Sequence, residues 1–311
     1  MSAITALSDE TAAPARRPAR KAVRRSYLAY WLLAPSFALL VLFTYLPVVQ
    51  ALVQSITLEG FGGRFQGYGL GNFQRLFLDN SFRTALTNNI LYAIGTIVPS
   101  LAIALAVAVA LQESSRFNTV IRTLVFFPVL LPLVGAATLF AFVFMPGVGL
   151  IDYHLAKLGI RATNWLGNPD LALGSIAFIT VWKNAGYYML FFIAGLQAIP
   201  SDLHEAAKID GANAWTRFWR ITLPMLKPTL SFVAVIACIN AFTLVDHIIV
   251  LTKGGPSDST NILLNYIFQM AHEQQDMGRA SAATIVSVLA LLAFSALMIR
   301  TIERGSHVDP L

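Results

Sequence analysis

Charge is what this sequence has least of. Only 12% of its 311 residues are Asp, Glu, Lys or Arg, against roughly 25% in soluble domains, too few to clothe a water-facing surface. There is one cysteine, Cys238, set within an apolar run, so neither a disulfide framework nor a cysteine metal site is available. The glycine-rich G-x-x-x-x-G-K-[ST] cradle for phosphates is absent, which excludes the usual ATP hydrolase. Two segments, His204-Glu205-Ala206-Ala207-Lys208 and His272-Glu273-Gln274-Gln275-Asp276, begin like a helical zinc-protease motif. Both lack the second histidine that would put two imidazoles on one helix face. No serine, cysteine or threonine stands in a recognisable nucleophile setting. The expectation is a protein without catalytic residues, bound metal or cofactor of its own. The formal net charge of +6 would suggest nucleic acid in a soluble chain; here it reads as membrane topology, and no nucleic-acid partner is expected.

What the sequence does have is hydrophobic residues, 56% of the chain, gathered into runs of the roughly 20 residues that cross a hydrocarbon core as a helix. The expected fold is all-α and polytopic, with six transmembrane helices over residues 27–53, 87–111, 123–144, 173–196, 229–251 and 280–299. Pro35 and Pro47 should kink the first, and Pro128 and Pro132 interrupt the third. Residues 1–26, rich in Ala, Pro and Arg, read as a disordered basic tail ahead of a transmembrane domain over 27–311. The first run is too long for a signal-peptide core and has no convincing cleavage site. A glycine-rich connection is expected over 54–85, a short helix near Asp152 to Leu158, and a surface helix through Ile262, Leu263, Tyr266, Ile267 and Met270.

Basic residues set the orientation. With the N-terminus inside, the inner segments carry 14 Lys and Arg and the outer segments 7, a bias that places both termini in the cytoplasm.

The same count puts residues 197–228 inside. Within them, Ser201 to Pro228 reads as ordered structure: Asp202 and Glu205 are spaced like an N-cap pair. A short helix reaches Gly211, a second helical stretch carries Trp215, Phe218 and Trp219, and Pro224 and Pro228 close it. Two ionisable groups inside the spans also stand out, because charge in hydrocarbon is expensive. Lys183 lies near mid-membrane and Asp246 near the outer end of the fifth span. Either they line a polar pathway with Asn184, Tyr187, Asn240 and His247, or they are structural, as an ion pair within the chain or with a partner subunit, or as an acid that snorkels outward.

Glu205, Ala206, Ala207 and Gly211, then nine residues, then Ile221, Leu223 and Pro224 spell E-A-A-x-x-x-G…I-x-L-P. This resembles the signature of permease subunits of binding-protein-dependent ABC importers, in the carbohydrate-uptake branch that includes maltose and glycerol-3-phosphate permeases. Gly71-Asn72-Phe73, Arg122 to Pro128, Trp182-Lys183 through Leu196-Gln197 to Pro200, and Asp246 followed by Leu251 to Thr260 add to the resemblance, while His272 stands where such proteins usually carry Phe. The resemblance implies a type I importer fold in the bacterial inner membrane. It implies a coupling helix in which Glu205, Ala206, Ala207, Lys208, Asp210, Gly211, Ile221, Leu223 and Pro224 meet an ATPase. The implied partners are a second homologous permease, two ABC ATPases that carry the ATP and Mg, an extracytoplasmic solute-binding protein, membrane lipid and a small polar solute. A self-sufficient secondary transporter is the alternative; it would normally show more intramembrane charge or an internal repeat.

Overall fold

The computed structural model describes residues 27–59 and 64–303; the basic tail and Arg304 lie outside them. The described residues divide into two compact units, the first ending at Val48 and the second beginning at Val49. In the first, α1 (Tyr27–Leu40) passes into a π-helical turn, Val41–Tyr45, just ahead of Pro47. Leu46 N–H donates to the Val41 carbonyl, five residues back. The wider turn is how the helix accommodates a ring that has no N–H to offer. Helix α2 (Leu46–Ile56) completes this span as one 27-residue helix from Tyr30.

Within the expected glycine-rich connection, which is exposed or half-exposed along its strands, β1 (Thr57–Glu59) and β2 (Phe65–Tyr68) pair as a two-stranded antiparallel sheet, a small addition to the helical fold. Then come α3 (Gly71–Leu78), α4 (Asn80–Ala110), α5 (Arg116–Phe126), α6 (Leu133–Val143), α7 (Leu150–Lys157) and α8 (Pro169–Gln197). They are followed by α9 (Ser201–Ile209), α10 (Ala214–Arg217), α11 (Leu223–Met225), α12 (Lys227–Thr243), α13 (Asp246–Leu251), α14 (Leu263–Phe268) and α15 (Met277–Glu303). Among the described residues five helical stretches are long and apolar enough to cross a membrane, and the bent pair α5–α6 makes six. The spans run beyond the expected bounds because polar ends such as Asn80 to Leu86 continue the helix past the apolar run; Asp79 caps α4 by accepting from Ser81 N–H.

Pairing of α4 with α8 is the most extensive, and α12 lies against α4 and α15. Small residues make this possible. The buried faces carry Ala93, Ala104 and Ala108 on α4, Ala172, Ala185 and Gly186 on α8, and Ala234, Ala237 and Ala241 on α12. Lipid tails are as apolar as leucine, so helices in a membrane gain by close backbone approach more than by burying bulk. Gly186 is the extreme case: a Cβ there would sit 2.1 Å from the Val125 carbonyl oxygen of α5. The opposite faces expose Leu91, Ile94, Val98 and Ile103 on α4 and Leu289, Leu292 and Leu297 on α15.

The packing refines two of the expected spans, including the interruption expected at Pro128 and Pro132, and corrects the expected surface helix. The third span, 123–144, is two helices bent by 99°, joined by a 3₁₀ turn over Phe127–Leu130. Pro128 and Pro132 deny the ladder two N–H groups in five residues. The fifth, 229–251, breaks at Leu244 and Val245 between α12 and α13. The helix around Ile262 to Met270 is buried: Ile262, Leu263 and Tyr266 are fully covered by their neighbours. The segment before it is pinned by Asn88, whose amide donates to the carbonyls of Asp258 (2.8 Å) and Asn261 (3.0 Å), and by Ser81, whose hydroxyl donates to the Asp258 carboxylate (2.6 Å).

At that same end, Tyr266 donates to Asp79 (2.7 Å), Arg279 lies 3.6 Å from Asp79 and pairs with Asp276 at 2.7 Å. Burial of Asp276 would raise its pKa, but hydrogen bonds from Arg279 and the charges of Arg279 and Arg75 outweigh it and hold the carboxyl below its usual range. A depressed carboxylate stabilises above its unfolded pKa and stops doing so as pH falls through the folded value. Asp276→Asn should therefore lower the thermal midpoint at neutral pH, and the gap from wild type should close as the buffer is taken below the ordinary carboxylate range.

Candidate functional site

Residues 197–228 leave α8 through Pro200, which occupies the N-cap of α9; Asp202 lies in the first turn and provides no side-chain cap. This corrects the expected capping pair. Proline suits the place because the first turn has no ladder partner for its missing N–H. The other end of α9 is built tightly. Gly211 N–H donates to the Lys208 carbonyl (3.1 Å) and Ala212 N–H to the Ala207 carbonyl (2.9 Å). This is a Schellman motif, and it needs a left-handed residue at Gly211, whose φ is +79°. Arg217 Nη1 then donates to the Ala212 carbonyl (3.1 Å) and Asn213 caps α10 through Thr216 N–H (2.8 Å). The bend is fixed from both sides.

None of α9 is buried. Glu205, Ala206, Lys208 and Asp210 are exposed and Ala207 is half-buried, while Leu203 is 42% and Ile209 87% exposed. Leu203, Ala206 and Ile209 make an apolar stripe with no partner among the described residues, which on a rigid helix marks a contact surface. His204 and Lys208 turn the other way, onto a cleft of ≈300 Å³ closed by Val109, Gln112 and Glu113 at the end of α4 and by Arg217 and Phe218. Beyond Arg217 a π-turn, Phe218–Thr222, leads into α11. Ile221 and Leu223 are half-buried and Pro224 exposed, with Thr222 buried between the first two and Leu226 buried just beyond Pro224. Pro224 and Pro228 sit at the starts of α11 and α12, so they begin turns where closure was expected.

Inside the bundle, Asn184 and Asn240 line a polar cavity of ≈10 Å³ with Thr96, Ser100, Thr180 and Tyr188, room for about one water. Asn240 donates to the Tyr188 hydroxyl (3.1 Å). Beside it the Tyr92 hydroxyl meets Thr180 Oγ1 (2.6 Å) and His247 Nε2 (2.8 Å). Lys183 does not reach this cavity. Its Nζ donates to the carbonyls of Pro128 (3.2 Å), Val129 (3.0 Å) and Leu131 where α5 gives way to α6, and Pro128 also accepts from Leu131 N–H (3.3 Å). Tyr187 packs edge-on against Phe191, with ring centroids 5.1 Å apart. Asp246 is exposed at the start of α13, and no ion pair joins it to Lys183. Sequence reasoning missed Tyr92, Thr96 and Ser100, which recur every four residues along one face of α4; that spacing was the available signal. Thr180 and Tyr188 join them only through packing of α8.

A family model described as binding-protein-dependent transport system inner membrane component matches residues 100–305. Over 286 residues the chain is 33% identical to YurN of Bacillus subtilis (strain 168), described as a probable ABC transporter permease protein, covering 90% of this chain and 97% of that one. It is 34% identical over 283 residues to the sn-glycerol-3-phosphate transport system permease protein UgpA of Agrobacterium fabrum, covering 90% and 96%. A crystal structure of a bacterial alginate ABC transporter, in complex with an alginate pentasaccharide-bound periplasmic protein, contains a chain of the same fold. Its TM-score is 0.79 at 22% identity, over 91% of this chain and 96% of that one. With the family match spanning most of the chain and relatives above 30% identity along nearly all of it, this protein belongs to the inner membrane components of binding-protein-dependent transport systems and is a permease subunit of an ABC importer.

Proposed function

We propose that this chain forms one half of a translocation pathway with a second, homologous permease, and that α9 is the coupling helix by which two cytoplasmic ATPases drive it. The observation that carries this reading is the exposed stripe Leu203, Ala206 and Ile209 on a helix whose exit angle is locked at Gly211. A helix laid in a groove of a partner needs such a face, and Glu205 can accept a charge-assisted hydrogen bond there. ATP and Mg belong to the ATPases; this chain binds no cofactor. Both termini and residues 197–228 lie in the cytoplasm, as the basic-residue bias implies. Closure of the ATPase dimer swings the stems α8 and α12 as rigid bodies and opens the pathway to the solute-binding protein. The coupling residues are Glu205, Ala206, Ala207, Lys208, Asp210, Gly211, Ile221, Leu223 and Pro224.

The solute is hydroxyl-rich and sugar-like. Asn184, Asn240, Thr96, Ser100, Thr180 and Tyr188 offer neutral donors and acceptors, suited to hydroxyls, and the named relatives handle glycerol 3-phosphate and alginate. The full assembly in proteoliposomes should take up a labelled sugar or glycerophosphate only with ATP inside and binding protein outside. Uptake by this chain alone, driven by an ion gradient, would instead make it a secondary transporter.

A further inference from the structure

We propose that the cleft between α9 and the end of α4 binds a phosphate group, presented by an anionic lipid of the inner leaflet or by free phosphate. The inference rests on the orientation given under Proposed function and not on ATPase docking. The cleft, ≈300 Å³, is at the lower end of the size range of small-molecule sites, about 300–1,000 Å³. His204 and Lys208, one turn apart on α9, face Arg217 from α10 across it, with Glu113 the one acid in its wall. Among the described residues no carboxylate comes within 4.0 Å of Lys208 or Arg217. Arg217 is already oriented, since Nη1 is held by the Ala212 carbonyl, which leaves the other N–H groups of its planar fork to meet phosphate oxygens.

Two features of the surroundings favour an anion at headgroup depth. The carbonyl end of α4 would repel negative charge, but Arg122 covers it, donating to the carbonyls of Leu111 and Glu113 at 3.0 Å each. Trp215 and Trp219, 71% and 49% exposed and packed edge-to-face at 5.6 Å, flank Arg217. Exposed tryptophans beside arginines are the composition of a membrane–water interface. Because the cleft is walled by both α9 and α4, a phosphate in it braces the foot against the stem. Lipid composition then tunes how stiffly the foot moves.

The test is native mass spectrometry of the complete assembly, extracted from vesicles of phosphatidylcholine with or without phosphatidylglycerol, without ATP or solute. The expected result is a retained phosphatidylglycerol whose apparent affinity falls about tenfold in Arg217→Gln, the worth of one charge-assisted hydrogen bond. It should fall also in His204→Gln on the opposite wall, and stay unchanged in Arg220→Gln, an exposed neighbour outside the cleft. If no lipid is retained but inorganic phosphate raises the thermal midpoint of wild type and not of Arg217→Gln, the occupant is free phosphate. Neither effect, or an equal loss in Arg220→Gln, overturns the site. Because the readout needs no transport, its failure is separate from failure of the coupling assignment.

Discussion

Gly211→Pro is expected to reduce uptake by the reconstituted importer to background while the chain still inserts and folds. Gly211 sits at φ +79°, and proline is locked near −65°, so the Schellman turn cannot form. Its N–H, which donates to the Lys208 carbonyl, is removed as well. The combined penalty, about 3 kcal/mol or more, falls on a nine-residue helix with no buried residue to hold it in place. The helix end therefore repoints, and force from the ATPases no longer reaches α12. Gly211→Ala grades the effect. A Cβ there meets nothing within 4 Å, so the cost is only left-handed strain, about 1–2 kcal/mol, and uptake should fall several-fold. Glu205→Lys, at an exposed position, should leave the thermal midpoint alone yet weaken ATPase retention on purification. Wild-type uptake and ATPase retention in Gly211→Pro would remove α9 from the coupling role.

Lys183→Met should have the second largest effect, on stability. The ammonium satisfies three carbonyls at the break between α5 and α6. Pro128 keeps the Leu131 N–H as a donor, so the carbonyls left without one are those of Val129 and Leu131; at roughly 1–3 kcal/mol for each orphaned acceptor the loss is about 2 kcal/mol or more. The thermal midpoint of the purified assembly should drop sharply in Lys183→Met and recover in part in Lys183→Arg, which restores donors. A wild-type midpoint with altered solute affinity would instead place Lys183 in the pathway.

Much of this was legible before any tertiary structure. The six apolar stretches follow from run length alone, and the E-A-A-x-x-x-G spacing with Ile221, Leu223 and Pro224 marked the foot because Gly211 must take a backbone conformation other residues avoid. The short helix at Leu150–Lys157 was legible for the same local reason, a change of periodicity between polar breaks. Less legible were positions whose role depends on a distant neighbour. Lys183 and Asp246 look alike in sequence, as charges in apolar runs, yet one caps a broken span and the other is exposed. Tyr266, expected among the apolar residues of a surface helix, is fully buried.

Composition and local pattern, then, determined what this protein is: a membrane-embedded helical permease with one stiff foot. Chain entropy and backbone hydrogen bonding act over a few residues, and those are written locally. The tertiary structure alone decided which polar groups are satisfied, how sharply the third span bends, and which hydroxyls share a cavity with Asn184 and Asn240. Inside a membrane every freed carbonyl must find a donor, and the donor that answers Val129 lies 54 residues away.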